Sequence, residues 1–237
     1  MIYPHGDIEP IGTDIFMVRG SIKLNPFMRI SRNMGIVCEE SEITLINPIR
    51  LNAGTEDKLR ALGEIKNIVR LGAFHGIDDA YYVEKFKAQF WSQPNGMAYK
   101  EPIIDVEIGM GGLTPVEDCE FFEFRNTTQP ECALLLKRDG GVLFTCDSIQ
   151  HYGDYSYSNW LAKVIMPRIG FPKTTIVGPI WLKLMTPEGG GLEEEFRRLL
   201  ELNFEKLLSG HGTFLAHDAF KEVTKAIDKA FSVDSLD

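Results

Sequence analysis

Short apolar runs separated by polar turns dominate the first half of the chain and recur in the second. The runs that predict strands are Asp14–Arg19, Met34–Cys38, Ile43–Ile46, Ile68–Leu71, Cys132–Leu136 and Val142–Thr145. Polar segments at 39–42 and 137–141 each join two of these runs and predict hairpins. Two hairpins, each ending in a polar residue and a loop, favour an architecture of two similar halves.

Apolar residues at helical spacing predict helices between and after the strands. The predicted helices are Glu56–Leu62, Asp78–Phe90, Ser158–Met166, Leu192–Leu207 and His217–Phe231. Gly63 supplies a stop for the first of them. No low-complexity linker divides the chain, so residues 1–237 are expected to form a single domain. Strand-rich halves with interleaved helices predict an α/β fold of two packed sheets with helices outside.

Composition and charge narrow the class of protein. The apolar share of 44% is ordinary for a globular chain with a sizeable core, and a formal net charge of −9 argues against nucleic acid as a partner. Four scattered cysteines without a CxxC pair indicate reduced, mostly buried thiols. The N-terminus lacks the features of a signal peptide, and no run of about 18 apolar residues occurs, so a cytoplasmic location without membrane contact is expected.

Candidate metal ligands fall at the ends of three predicted strands. His75 and Asp79 follow the run Ile68–Leu71, Asp147 follows Val142–Thr145, and His211 lies in a Ser-Gly-His-Gly turn before the last helix. Loops at strand ends expose side chains while the sheet fixes their position, so these residues are candidates for a common site. Taken singly, each has a simpler structural role, such as a helix N-terminal carboxylate for Asp79.

The other histidines carry less weight. His151 follows Asp147 closely and lies either in the pocket or on the surface, and the surface is the preferred interpretation. His217 is expected on the surface at the start of the last helix, and His5 in a flexible end.

The order of these motifs resembles the metallo-β-lactamase superfamily over roughly residues 12 to 231. The stretch from His75 to Ala80 resembles its His-x-His-x-Asp-His motif, Cys146-Asp147 its Gly-Asp strand end, and Gly210-His211-Gly212 its closing Gly-His-Gly turn. Ile43–Ile46 followed by Asn47-Pro48 resembles an early strand that usually ends in Asp. The resemblance implies a four-layer αβ/βα sandwich of the metallo-β-lactamase type.

The departures from the family pattern concern its histidines. Ile77 and Ala80 replace two motif histidines, and Thr127 or Thr128 stands where a later histidine belongs. The resemblance therefore implies a reduced site, with His75, Asp79, Asp147 and His211 as the remaining metal ligands. Such a set suits one divalent ion, Zn, Fe or Mn, with complete loss of the metal as the alternative.

A second register of the same motif places His75 at the second histidine position. It keeps fewer matching residues, because Ile77 then replaces the motif aspartate and Asp78 the last histidine. The first register is preferred, and in it Asp78 is expected to point outward beside the start of a helix.

The function implied is a metal-dependent hydrolase of an unidentified small-molecule substrate. The metal would activate water by lowering its pKa, and Asp79 or Asp147 would orient the nucleophile or accept its proton. The alternative is a non-catalytic binding or scaffold domain in which Ile77, Ala80 and Thr128 fill the former metal cavity. Redox chemistry at a single iron is a third hypothesis, and a homodimer is one of the open oligomeric states.

Overall fold

The computed structural model describes residues 1–109 and 111–232. The strands are β1 (His5–Gly12), β2 (Ile15–Lys23), β3 (Arg29–Glu39), β4 (Glu42–Ile46), β5 (Glu64–Val69), β6 (Gln89–Ser92), β7 (Val106–Glu107), β8 (Cys119–Glu123), β9 (Cys132–Leu136), β10 (Val142–Phe144), β11 (Ile149–His151), β12 (Thr175–Val177) and β13 (Lys206–Leu208). The helices are α1 (Ala53–Leu62), α2 (Asp79–Phe86), α3 (Trp160–Ile165), α4 (Pro179–Met185), α5 (Glu193–Leu199) and α6 (Ala219–Ala230). Short 3-10 turns occupy Arg138–Gly140 and Met166–Ile169.

The strands form two main sheets. The first is seven-stranded, with β1 to β7 side by side in chain order; β1 to β4 are antiparallel, and β4 to β7 run parallel to one another. The second has the order β13-β10-β9-β8, and β11 pairs with β12 in a separate ribbon. The predicted hairpins β3–β4 and β9–β10 are both confirmed as antiparallel pairs.

The two sheets pack face to face through apolar side chains. Val37, Ile46 and Val69 of the first sheet share a buried cluster with Leu134 and Phe144 of the second. The outer face of the first sheet packs against α1 and α2, and that of the second against α4, α5 and α6. Helices therefore lie outside two packed sheets, which confirms the predicted αβ/βα sandwich.

Helix α1 ends where the sequence predicts. Its start lies three residues earlier than expected, because the Asn52 side chain accepts a hydrogen bond from the Thr55 N–H (3.0 Å) and caps the helix. Gly63 follows the last turn with φ of 156°, and a Cβ there would lie 2.4 Å from the Ser41 carbonyl oxygen. Only glycine fits this stop.

Two predicted helices are too long, and one predicted flexible end is ordered. The helix predicted to reach Phe90 ends at Phe86, and Phe90 is a buried residue of β6. The helix predicted to reach Leu207 ends at Leu199, and Leu207 belongs to β13. Phe90 and Leu207 are buried apolar residues that continue the spacing of the preceding helix, but each belongs to a strand. His5 begins β1, where its Nε2 accepts a hydrogen bond from the Asn52 N–H.

The cysteines agree with the prediction of buried thiols. Cys38, Cys119, Cys132 and Cys146 are all buried, and none forms a disulfide. Among the residues that the structure describes, no helix is both long enough and apolar enough to cross a membrane.

Candidate metal centre

Three of the four predicted ligands meet in one place, at loops that follow strands of both sheets. The Nε2 atoms of His75 and His211 lie 3.2 Å apart. The Asp147 carboxylate lies 3.4 Å from Nε2 of His75 and 3.1 Å from Nε2 of His211. We call His75, Asp147 and His211 the ligand cluster. Its side chains are 12–17% exposed, so each is shielded yet reachable from one side.

The loop after β13 fixes the orientation of the His211 ring. The His211 Nδ1–H donates to the carbonyl oxygen of Ser31 in β3 (2.6 Å), and the Gly212 N–H donates to the Ser31 hydroxyl (2.9 Å). The Asn33 side-chain amide donates to the Ser209 carbonyl at the start of the same turn. Because Nδ1 carries the proton in the bond to a carbonyl, the neutral ring presents the lone pair of Nε2 to the cluster.

Asp147 is held by a buried carboxylate that the sequence analysis missed. The N–H groups of Asp147 and Ser148 donate to Oε1 of Glu131 (3.2 and 2.7 Å), and the Trp181 indole N–H donates to Oε2 (2.7 Å). Glu131 is fully buried, and burial together with the nearby Asp147 charge raises its pKa to about 8. Glu131 directly precedes the all-apolar strand β9, and a charged residue at that position is the sequence signal that could have revealed it.

The pKa values of Asp147 and His211 depend on one another. Burial acts to raise the pKa of Asp147, but the His75 charge and hydrogen bonds from both imidazoles outweigh it and hold the pKa well below its ordinary value. Burial acts to lower the pKa of His211, but its bond to Asp147 outweighs burial and raises that pKa. A positive charge between these atoms is therefore favoured, whether it is a proton or a metal ion.

The distances within the cluster match those of a small tetrahedral ion. Tetrahedral bonds of about 2.0–2.1 Å to nitrogen and oxygen place two ligand atoms about 3.3–3.4 Å apart. The shortest approaches here are 3.2 Å between the two Nε2 atoms, 3.1 Å from Asp147 Oδ1 to His211 and 3.4 Å from Asp147 Oδ2 to His75. Two imidazole nitrogens and one carboxylate suit Zn²⁺, Fe²⁺ or Mn²⁺. The residues present therefore fit one divalent ion.

Asp79, the fourth predicted ligand, is bound by a buried arginine and is not part of the cluster. Its carboxylate accepts a hydrogen bond from Nε of Arg70 (2.6 Å), and the two side chains are 2% and 6% exposed. The remaining guanidinium nitrogens of Arg70 donate to the carbonyls of Tyr99 and Glu101. A buried guanidinium thus provides the cation that balances Asp79.

The expectation that Asp78 points outward is wrong. Asp78 is buried at the N-terminus of α2, where its carboxylate pairs with Arg32 (2.9 Å) and accepts the Arg50 N–H (3.1 Å). The Arg32 charge explains this orientation, because a buried aspartate requires an opposite charge beside it.

Two of the residues that replace the family histidines, Ile77 and Thr128, do not fill the cluster. Ile77 is 48% exposed at the mouth of a cavity. Thr128 donates its hydroxyl to the Leu184 carbonyl (2.7 Å), which ties its loop to α4. His151 is half-buried against the Thr175 hydroxyl (2.9 Å), outside the cavity lining, and His217 is 80% exposed.

The ligand cluster opens into a cavity of about 420 Å³. Segments from β2, β3, the loop after β5, the 3-10 turn after α3 and helix α4 line it, so its walls come from both halves of the fold. Its size is typical of small-molecule sites.

Comparison with known proteins identifies the fold. No protein-family model matches the sequence, and no curated protein matches it. Among solved structures, DIM-1 metallo-β-lactamase exposed to ceftazidime is 14% identical, with 97% of this chain and 99% of that chain covered and a TM-score of 0.63. FIM-1 from Pseudomonas aeruginosa in its mono-zinc form is 12% identical, with 97% of both chains covered and a TM-score of 0.63.

A third structure extends the likeness to another organism. The metallo-β-lactamase from Hirschia baltica is 13% identical, with 94% of this chain and 98% of that chain covered and a TM-score of 0.58. Identities at this level establish architecture and not activity. The chain has the metallo-β-lactamase fold.

Proposed function

We propose that this chain is a metal-dependent hydrolase with a single divalent ion bound by His75, Asp147 and His211. The observation that carries the proposal is the convergence of two imidazoles and one carboxylate, whose shortest nitrogen–nitrogen and nitrogen–oxygen distances are 3.1 to 3.4 Å. Asp79 is left out of the proposed ligand set because its carboxylate is bound by Arg70.

A divalent ion held by His75, Asp147 and His211 would supply Lewis acidity and would lower the pKa of the attacking water. The chain's own residues then set the geometry. The Ser31 carbonyl holds the His211 ring in one tautomer, and Glu131 holds the backbone of Asp147. Asp147 stays ionised because its neighbours hold its pKa well below the ordinary value, so it is placed to orient the attacking water by accepting a hydrogen bond from it.

The reaction is the hydrolysis of an acyl bond. The water oxygen forms a bond to the acyl carbon, and the bond from that carbon to the leaving oxygen, sulfur or nitrogen breaks. The leaving group takes up one proton of the water, and the other is released to solvent or to a leaving amine. The products are a carboxylate and an alcohol, thiol or amine. No oxidant or reductant is needed, which separates this proposal from redox chemistry at iron.

Two observations support a metal site over a scaffold. The scaffold hypothesis expects Ile77, Ala80 and Thr128 to fill the former metal cavity, whereas Ile77 is about half exposed and Thr128 bonds to α4. The mono-zinc form of FIM-1 is a protein of the same fold holding one zinc. A reduced metal content is therefore compatible with this architecture.

The test is metal stoichiometry. Protein purified without chelator is analysed for metals, and zinc binding to the metal-free protein is measured by calorimetry. We expect one equivalent for the unchanged protein and none for Asp147→Ala or His211→Ala. His217→Ala is the matched control, because this histidine is 80% exposed and lies outside the cluster.

The outcome decides among the alternatives. Binding of no metal by the unchanged protein would leave the scaffold hypothesis. One equivalent of iron that cycles between oxidation states, with no cleavage of esters, thioesters or amides, would favour redox chemistry.

A further inference from the structure

The cavity above the ligand cluster has an apolar mouth. Six side chains around it are between 38% and 59% exposed. They are Leu24, Phe74, Ile77, Ile169, Ile180 and Leu184. We call these six residues the apolar rim. Single exposed apolar residues are common on protein surfaces, but a group of them around one opening marks a site that binds something apolar.

The apolar rim is built from separate parts of the chain. Leu24 comes from the turn after β2, Phe74 and Ile77 from the loop after β5, and Ile169 from the 3-10 turn after α3. Ile180 and Leu184 lie four residues apart on α4 and so share one face of that helix. The apolar rim therefore draws its residues from four separate segments of the chain.

Below the rim the walls stay largely apolar until the ligand cluster is reached. Met166 and Phe171 are buried members of a small aromatic and apolar cluster that borders the cavity. The side chain of Tyr152 is buried, and its hydroxyl is already used in a bond to Gln150. Besides the ligand cluster and Tyr152, the polar side chains in the lining are Lys23, Arg32, Tyr99 and Gln150.

Apolar side chains make up most of the cavity lining, and two cations stand among them. Arg32 forms an ion pair with Asp78 and donates to the Pro48 carbonyl, and Lys23 ends β2 next to Leu24 of the apolar rim. The part of a substrate that lies against this lining is therefore expected to be apolar.

We infer that the cavity binds a long apolar acyl chain, with its carbonyl at the ligand cluster and its chain against the apolar rim. The inference rests on the proposed hydrolase function for the identity of the reacting group, an ester or thioester of that chain. It goes further by naming the group that gives the substrate its affinity.

Binding is tested with 2-alkanones of six to twelve carbons, which keep the carbonyl and have no leaving group. Their displacement of an environment-sensitive dye, 8-anilinonaphthalene-1-sulfonate, is measured in zinc-loaded and zinc-free protein. We expect affinity to rise about three- to fourfold for each added methylene, the gain that burial of one CH₂ gives. An affinity that does not change with chain length would overturn the inference.

The variant that tests the location is Ile169→Gln combined with Leu184→Gln. Both positions are about half exposed, so the polar replacements leave the core intact. We expect the twelve-carbon ketone to bind at least tenfold more weakly. The control is Ile103→Gln combined with Leu113→Gln, which are 80% and 59% exposed and lie outside the cavity lining. Equal loss in both double variants would contradict the assignment.

Cleavage is measured separately, with p-nitrophenyl esters from acetate to decanoate and zinc-loaded protein. A chain-length gradient for the ketones without cleavage of any ester would refute the hydrolase and leave the ligand class standing. Cleavage of all esters with equal efficiency, together with ketone affinities that do not depend on chain length, would support the hydrolase and refute the acyl-chain inference. A rise of kcat/KM with chain length that the rim variant abolishes supports both.

Discussion

Asp79 has the sequence position of a metal ligand and the surroundings of a buried ion-pair partner. Its carboxylate lies 2.6 Å from Nε of Arg70, and neither side chain has appreciable access to solvent. Burial raises the pKa of Asp79, and the Arg70 charge opposes that rise. Removing one member of such a pair leaves the other charge buried without compensation, which costs far more than the pair contributes as a whole.

We predict that Asp79→Asn destabilises the fold by about 3–5 kcal/mol and leaves the zinc stoichiometry unchanged. The measurement is urea unfolding together with calorimetric zinc titration. Asp57→Asn is the control, since the Asp57–Arg60 pair is 3.7 Å long and well exposed and should contribute less than about 1 kcal/mol. A folded Asp79→Asn protein that no longer binds zinc would return Asp79 to the ligand set.

Glu131 is the buried acceptor that holds the loop carrying Asp147. Truncating it leaves the N–H groups of Asp147, Ser148 and Trp181 without their acceptor. An unsatisfied buried donor costs about 1–3 kcal/mol, so we predict a loss of about 3 kcal/mol or more for Glu131→Ala. Glu120→Ala, at a partly exposed position of β8, is the comparison in denaturant unfolding. A loss below about 1 kcal/mol would mean that the three N–H groups find other partners.

At the residue scale, the sequence reveals which side chains could bind a metal but not which neighbours they take. His75, Asp147 and His211 were predictable because each combines a ligand-forming side chain with a position just after a strand. Asp79 meets the same criteria. Its pairing with Arg70 depends on the tertiary position of a guanidinium that also bonds to two carbonyls near residue 100.

At the scale of elements, hairpins were easier to predict than helix ends. The turns at 39–42 and 137–141 each separate two apolar runs, and both hairpins have the expected pairing. Phe90 and Leu207 continue a helical apolar spacing but belong to β6 and β13, because a buried strand is apolar throughout and matches any period locally. The very short strands β7 and β11 have too few residues for a pattern.

The turn that carries His211 depends on a glycine. Gly212 has φ of 85°, and a Cβ there would lie 2.0 Å from the His151 carbonyl oxygen. We predict that Gly212→Ala costs about 1–3 kcal/mol and weakens zinc binding at least tenfold, because the turn must shift and His211 with it. Chemical unfolding and zinc titration check both effects.

Gly191→Ala is the matched control for the turn. No atom lies within 4 Å of a Cβ at that position, so stability and zinc affinity should both stay unchanged. Zinc affinity that survives Gly212→Ala would show that His211 does not depend on this turn.

At the scale of the whole molecule, ligand binding to the folded state adds to stability by mass action. Zinc at about 100 times its Kd stabilises the native state by about 2.7 kcal/mol. For a chain of this length we predict that chelation lowers Tm by about 5–10 °C. Differential scanning fluorimetry with and without zinc measures the shift. Asp147→Asn protein should show none, and a shift of equal size there would place the zinc elsewhere.

His75 follows the first sheet, whereas Asp147 and His211 follow strands of the second, and His75 and His211 are 136 residues apart in the chain. An ion shared by them would act as a reversible cross-link, closing a long loop in a protein whose cysteines form none. Cross-links that close long loops restrict the unfolded chain most. Metal availability would then control how strongly the two halves unfold as one unit, so hydrogen exchange in β5 and β13 should slow together when zinc is added.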